Sequence, residues 1–233
     1  MKIGNYEVVQ IDSQSWRIEG GIVRAFLFTG TQRALLVDTT ETPGELDAVV
    51  RELTALPVTL VNTHADGDHI SCNDRFPTAY MHPAEFAQYA KASQPGFAKP
   101  ASVQDGELID LGGRVFEVIL IPGHTCGSIA LLDKAGKVLV GGDTISAGPV
   151  FMFGDTRNID AFCHSLERLQ ARSPEFDTIY PSHGVFPLEV GQIANQLACA
   201  KKLMAGELEP QEPPYPLPAK MFSDGKAAFF YIP

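Results

Sequence analysis

The chain has 233 residues, of which 45% are hydrophobic and 20% charged, and it carries a formal net charge of −10. The length fits one domain more simply than two, and the composition is that of a globular protein, which excludes a disordered or fibrous chain. The acidic balance, without any Lys/Arg-rich run, excludes a nucleic-acid binder, whose surface carries a basic patch.

In chain order, segments 6–11, 15–18, 22–29 and 33–38 are rich in β-branched and aromatic residues. Gly4, Asp12, Gly20, Gly21 and Gly30 punctuate them, so four strands are predicted. A helix is predicted from residue 43, with Thr42 as N-cap, Pro43 at its first position and Glu45 closing a capping box. Leu46, Val49, Val50 and Leu53 mark its apolar face. Pro57 ends it, and 58–62 reads as a buried strand running into Thr63-His64-Ala65-Asp66-Gly67-Asp68-His69. A strand (78–81), a helix (83–92) started by His82-Pro83, and a surface loop (93–106) follow. Strands are predicted at 107–111, 114–121, 128–133, 137–141 and 177–180. Helices are predicted at 158–171, with Ile159, Phe162, Leu166 and Leu169 on one face, and at 187–205 with a stop at Gly206. Five prolines within 210–218 form a stiff connector, and 219–232 reads as a hairpin turning at Asp224-Gly225. Residues 1–233 thus read as one domain of two β-rich halves, with 207–233 as connector and hairpin.

Nothing addresses the chain to a membrane. Its apolar runs are strand-length, and the N-terminus meets Gly4, Asn5 and Glu7 before the apolar stretch of a leader can form. Cys72, Cys126, Cys163 and Cys199 form no CxxC pair and are too sparse for a disulfide framework, so reduced thiols in a cytoplasmic protein are expected.

Four of the six histidines, and several aspartates, sit where predicted strands end. His64, Asp66, Asp68 and His69 fall within six residues; His124 lies in Pro-Gly-His-Thr, Asp143 in Gly-Gly-Asp-Thr and His183 in Pro-Ser-His-Gly. A lone His or Asp in a loop is usually a turn or cap residue. Two of each within six residues exceed what one turn needs, and imidazole with carboxylate suits Zn, Mn or Fe. Cys126, two residues past His124, is expected to be a small apolar filler, and His164 to be solvated. Phe151, Met152 and Phe153 follow Asp143 between Gly148 and Gly154; they are either core or an apolar wall for a substrate. Arg157 then either meets a substrate carboxylate or makes a surface ion pair.

With these stretches in order, the sequence resembles the metallo-β-lactamase superfamily, whose signature is H-x-H-x-D-H followed by His, Asp and His. The phrases Pro122-Gly123-His124-Thr125 and Gly141-Gly142-Asp143-Thr144 match its hydrolase members, and the likeness spans about residues 6–206. The resemblance implies an α/β fold, a four-layer αββα sandwich, holding two divalent metals. It implies that His64, residue 66 and His124 hold one metal and Asp68, His69 and His183 the other, with Asp143 bridging. The chain departs from the pattern at Asp66, where the family has His. Two divalent ions, three carboxylates and a hydroxide then sum to zero charge, against +1 with His, which favours Mn or Fe over Zn.

By this resemblance the activity is hydrolysis of a small ester, thioester or lactone by metal-activated water, with Asp68 as the catalytic residue that orients the nucleophile or shuttles its proton. The partner is a small-molecule substrate. Glyoxalase-II-like members hold glutathione with an added C-terminal helical region, and residues 184–233 read instead as a helix, a connector and a hairpin, which points away from glutathione thioesters. The rival reading is a di-iron redox protein for oxygen or nitric oxide, since the flavodiiron branch also has a carboxylate at this position; this chain has no room for their flavin domain.

Overall fold

A computed structural model describes residues 1–233, and the chain divides into two compact units, 1–119 and 120–233. In the first unit the strands are β1 (Lys2–Ile3), β2 (Tyr6–Asp12), β3 (Ser15–Gly20), β4 (Val23–Thr29) and β5 (Ala34–Val37). Helix α1 (Leu46–Leu53) leads to β6 (Val58–Val61), the four-residue turn α2 (Gly67–Ile70), β7 (Thr78–Met81), α3 (Phe86–Ala92) and β8 (Lys99–Ser102). These eight strands form one sheet in sequential order. Pairing is antiparallel as far as β5, with Leu27 opposite Leu36, and parallel from β5 to β8, with Leu36 opposite Leu60. Every residue of β4 and β5 is buried, which suits strands covered on both faces. Leu46, Val49 and Val50 of α1 join Tyr6, Ile18, Leu36, Leu60, Ile70 and Tyr89 in the core on the helical side of this sheet. A hairpin, β9 (Leu108–Asp110) and β10 (Val115–Leu120), ends the unit.

The second unit contains β11 (Ile129–Asp133), β12 (Val138–Gly142), β13 (Pro149–Met152), α4 (Ile159–Ala171), β14 (Thr178–Pro181), β15 (Leu188–Glu189), α5 (Gly191–Met204), β16 (Lys220–Ser223) and β17 (Ala228–Tyr231). Strands β15, β14, β12 and β11 lie side by side in that order, with β12 and β14 parallel. Strands β13, β17 and β16 form a second, three-stranded sheet. Asn158 caps α4 by accepting from the Ala161 N–H at 2.8 Å, and α4 packs on α5. Helix α5 closes as expected around Gly206, whose φ of +70° lets Glu207 N–H reach the Lys202 carbonyl.

Four expectations need correction. The capping box at 42–45 does not form: α1 starts at Leu46, and Glu45 stands at its N-cap without a side-chain bond. The chain before it is held elsewhere, since Tyr6 Oη donates to the Thr42 carbonyl, and a Cβ on Gly44 would lie 2.9 Å from Tyr6 Oη. The loop 93–106 contains the strand β8, and its Pro100 is tolerated because β8 is at the sheet edge. The last helix starts at Gly191 rather than 187, because Leu188 pairs with Ile179 across β14 and β15. Residues 149–152, for which no strand was predicted, form one whose partner is the C-terminal β17.

Candidate metal centre

All the donor side chains but His124 follow strands that have a parallel neighbour, at the strand ends where α/β folds place ligands. In the first unit β6 ends at Val61 and passes through His64 and Asp66 into α2, which carries Asp68 and His69. His64 and His69 are buried. Their tautomers follow from their partners. Asp38, just past β5, accepts from the Thr63 N–H (2.7 Å), the Thr63 hydroxyl (2.8 Å) and His69 Nδ1 (2.9 Å). A carboxylate only accepts, so His69 Nδ1 carries the proton. The Thr63 hydroxyl spends its hydrogen on Asp38 and therefore accepts from His64 Nδ1 at 3.0 Å. Both imidazoles are thereby assigned an Nε2 lone pair, the form a metal requires.

In the second unit His124 sits in the turn after β10, where Gly123 has φ +139° and its carbonyl accepts the Asn158 N–H at 2.8 Å. Ser165 Oγ of α4 donates to the Pro122 carbonyl at 2.6 Å, so the turn is anchored on that helix. His124 Nδ1 donates to the Phe151 carbonyl at 3.1 Å, which again leaves Nε2 as the electron-pair donor. Asp143 follows β12, and the turn after it is held by two glutamines one helical turn apart on α5. Gln192 donates to the Ser146 carbonyl, while Gln196 donates to the Thr144 carbonyl and accepts from the Ser146 N–H. His183 follows β14, beside Ser182, whose N–H donates to the Gly142 carbonyl.

The donor atoms are spaced as ligands of a shared ion would be. Two donors each about 2.1 Å from a metal and subtending about 90–130° lie roughly 3.0–3.8 Å apart. In the first unit His64 Nε2 is 3.6 Å from Asp66 Oδ2, and His69 Nε2 is 3.8 Å from Asp68 Oδ2. In the second, Asp143 Oδ2 is 3.7 Å from His124 Nε2 and 3.1 Å from His183 Nε2, so one carboxylate oxygen faces two imidazoles. This donor set fits divalent metal.

Phe151 stacks edge-on with Phe230 at 5.0 Å and lies 5.7 Å from Phe153, which joins the two phenylalanines to the C-terminal sheet. Arg157 donates to Thr156 Oγ1 at 2.6 Å. Cys126 is exposed, not an apolar filler, because the tight turn that buries His124 and Thr125 turns the next side chain outward. Cys72, Cys163 and Cys199 are buried, and burial pushes their thiols up, the last to about 11. His82 caps the turn at Pro83 by accepting from the Ala84 N–H, and His164 is exposed.

Sequence reasoning missed Asp38, Thr63, Gln192 and Gln196. Asp38 had a readable signal, since Asp38-Thr39-Thr40 follows an apolar strand as the donor stretches do. The glutamines had none, because a buried Gln on a helix is visible only through its partners.

Gly123→Ala tests the turn that carries His124. A Cβ there would lie 2.4 Å from the Phe162 backbone at a φ that L-residues rarely adopt. Stability should fall by roughly 3 kcal/mol or more and Tm by roughly 10 °C, read by thermal and denaturant unfolding. An unchanged Tm would mean that the turn is not packed on α4 in this way.

Residues 18–183, a span containing all seven donor residues, match the family model described as Metallo-beta-lactamase superfamily. The chain is 26% identical over 186 residues to an acyl-coenzyme A thioesterase MBLAC2 of Gallus gallus, covering 64% of this chain and 67% of that protein. It is 31% identical over 162 residues to a hydroxyacylglutathione hydrolase of Pseudomonas putida, covering 66% of this chain and 58% of that protein. The chain spans from about two fifths to two thirds of the length of such curated relatives. Among solved structures it is similar to a metallo-beta-lactamase from Pontibacter korlensis, with a TM-score of 0.72 at 19% identity, covering 84% of this chain and 99% of that one. That likeness shows the α/β fold.

Proposed function

The chain belongs to the metallo-β-lactamase superfamily, and from that premise we propose that it is a metal-dependent hydrolase of small thioesters, with related esters and lactones as further substrates. The observation that carries the reading is the donor set: four His/Asp pairs spaced 3.1–3.8 Å apart, three of the imidazoles holding their Nδ1 proton on a protein acceptor. The likeness to a thioesterase and to a hydroxyacylglutathione hydrolase supports thioester chemistry over the di-iron redox alternative. It also returns acylglutathiones to the substrate panel, beside acyl-coenzyme A thioesters.

In this proposal His64, Asp66, Asp68, His69, His124, Asp143 and His183 hold about two divalent ions per chain, and residues 1–233 act as one cytoplasmic domain. The bound metal supplies Lewis acidity and lowers the pKa of a water. Asp68 is only half-buried and faces His69 Nε2, so it can hold the attacking water and accept its proton. Asp38 keeps His69 in its donor tautomer. Phe151 and Phe153 offer an apolar surface to an acyl chain, and Arg157 offers a cation to a substrate carboxylate or phosphate. No helix is long and apolar enough to cross a membrane.

Elemental analysis of metal-replete protein should give about two metals per chain, and a panel of acyl-coenzyme A, acylglutathione, aryl ester and lactone substrates should show turnover that a chelator abolishes. At most one metal per chain after reconstitution would show that Asp66 disables one site; metal-loaded protein inert to the whole panel would overturn the hydrolytic reading. Asp66→His should shift preference from Mn or Fe towards Zn, because it removes one negative charge from the donor set. Competition titrations with equal preference for both proteins would reject that charge argument.

A further inference from the structure

Two residues outside the donor set hold the segment that contains His64 and Asp66. Glu85 ends the turn after β7 and is fully buried, and its Oε2 accepts the Ala65 N–H at 2.8 Å, midway between the two ligands. Gln88, three residues on and therefore on the same side of α3, donates from Nε2 to Asp66 Oδ1 at 3.4 Å. The other oxygen of that carboxylate, Oδ2, is the one 3.6 Å from His64 Nε2. Helix α3 is itself fixed, since Tyr89 is buried in the core and its hydroxyl donates to the Ala98 carbonyl at 2.9 Å.

Resting on the metal-site reading, we propose that Glu85 and Gln88 are positioning residues: Glu85 sets the 64–66 backbone, and Gln88 occupies one oxygen of Asp66 so that the carboxylate meets a metal through the other oxygen alone. A buried carboxylate is costly unless it is well bonded, and a hydrogen bond from a backbone N–H to a charged acceptor is among the stronger ones. Placing that bond between two ligands directs its strength to their spacing. Asp is shorter than His and has two equivalent oxygens, so its reach and its binding mode both need an external constraint. Gln88 supplies that constraint from a helix already anchored in the core.

The test is Zn²⁺ affinity, measured by competition with a chromophoric chelator, together with the Tm of the metal-free protein. Gln88→Leu should weaken one of the two binding steps about tenfold, within the usual effect of a group that orients a ligand. The other step should be unchanged, and the metal-free Tm should stay within about 2 °C, since a side chain half-exposed to solvent contributes little to stability. Glu85→Gln, which keeps an acceptor for the Ala65 N–H, should retain affinity to within about threefold, whereas Glu85→Leu should lose about tenfold or more. Unchanged affinity in Gln88→Leu, equal weakening of both steps, or a matching loss of metal-free stability would overturn the proposal while leaving the metal site standing. A wild-type protein that binds neither Zn²⁺ nor Mn²⁺ nor Fe²⁺ would overturn the metal-site reading, and the proposal with it.

Discussion

Asp68→Asn should lower kcat for thioester hydrolysis by roughly 10²–10⁴, the usual scale for losing acid–base assistance. Asn keeps the shape of the side chain and one oxygen ligand but removes the charge and the proton acceptor. Asp68 is placed for the role: it lies in the first turn of α2, is only half-buried, and its Oδ2 stands 3.8 Å from Nε2 of the adjacent His69. That leaves it open to water while its neighbour is buried. Metal content should fall far less than turnover, which stopped-flow or steady-state kinetics beside elemental analysis will separate. Near-wild-type turnover of metal-loaded Asp68→Asn would remove Asp68 from the mechanism. Parallel loss of metal and activity would make it a ligand only.

Asp38→Asn should weaken metal binding about 10- to 100-fold although Asp38 is not a ligand, the range found when the outer partner of a ligating histidine is lost. The carboxylate accepts three hydrogen bonds, one from His69 and two from Thr63. Asn has one acceptor oxygen and presents an NH₂ group at the other position. If NH₂ faces His69 Nδ1, the ring proton moves to Nε2 and the histidine cannot ligate. If NH₂ faces Thr63 instead, a buried N–H loses its acceptor, at a cost of about 1–3 kcal/mol. Asp38→Ala leaves all these donors without that acceptor, so denaturant unfolding should show the larger stability loss for Ala and chelator competition the tautomer effect for Asn. Wild-type affinity in Asp38→Asn would show that His69 does not depend on this bond.

Much of this protein follows from local sequence. Strands β2 to β7 and β9 to β12 lie where β-branched runs and glycine punctuation place them, because an all-buried strand such as β4 must be written in apolar residues. The C-terminal hairpin turns at Asp224-Gly225, where Gly225 has φ +84° and the Asp224 carboxylate accepts the Lys226 and Ala227 N–H groups. The candidate donor residues were legible for a related reason: His and Asp are residue types that can ligate a metal, and here they crowd the ends of strands, so the candidate site is written in residue type and spacing.

Tertiary structure alone decided the rest, because the deciding partners are remote in sequence. Helix α1 begins at Leu46 despite a complete local capping signal, since Tyr6, 36 residues earlier than Thr42, takes that carbonyl. Residues 149–152 become a strand only through β17, about 80 residues later, and the partner strand leaves no trace in the local sequence. The same holds around the candidate donor residues. Asp38 orients His69 from 31 residues away, Gln196 reaches Thr144 across 52, and Gln88 reaches Asp66 across 22. A ligand announces itself by what it is, whereas the groups that aim it are ordinary polar residues whose role exists only once the fold has put them within hydrogen-bond reach.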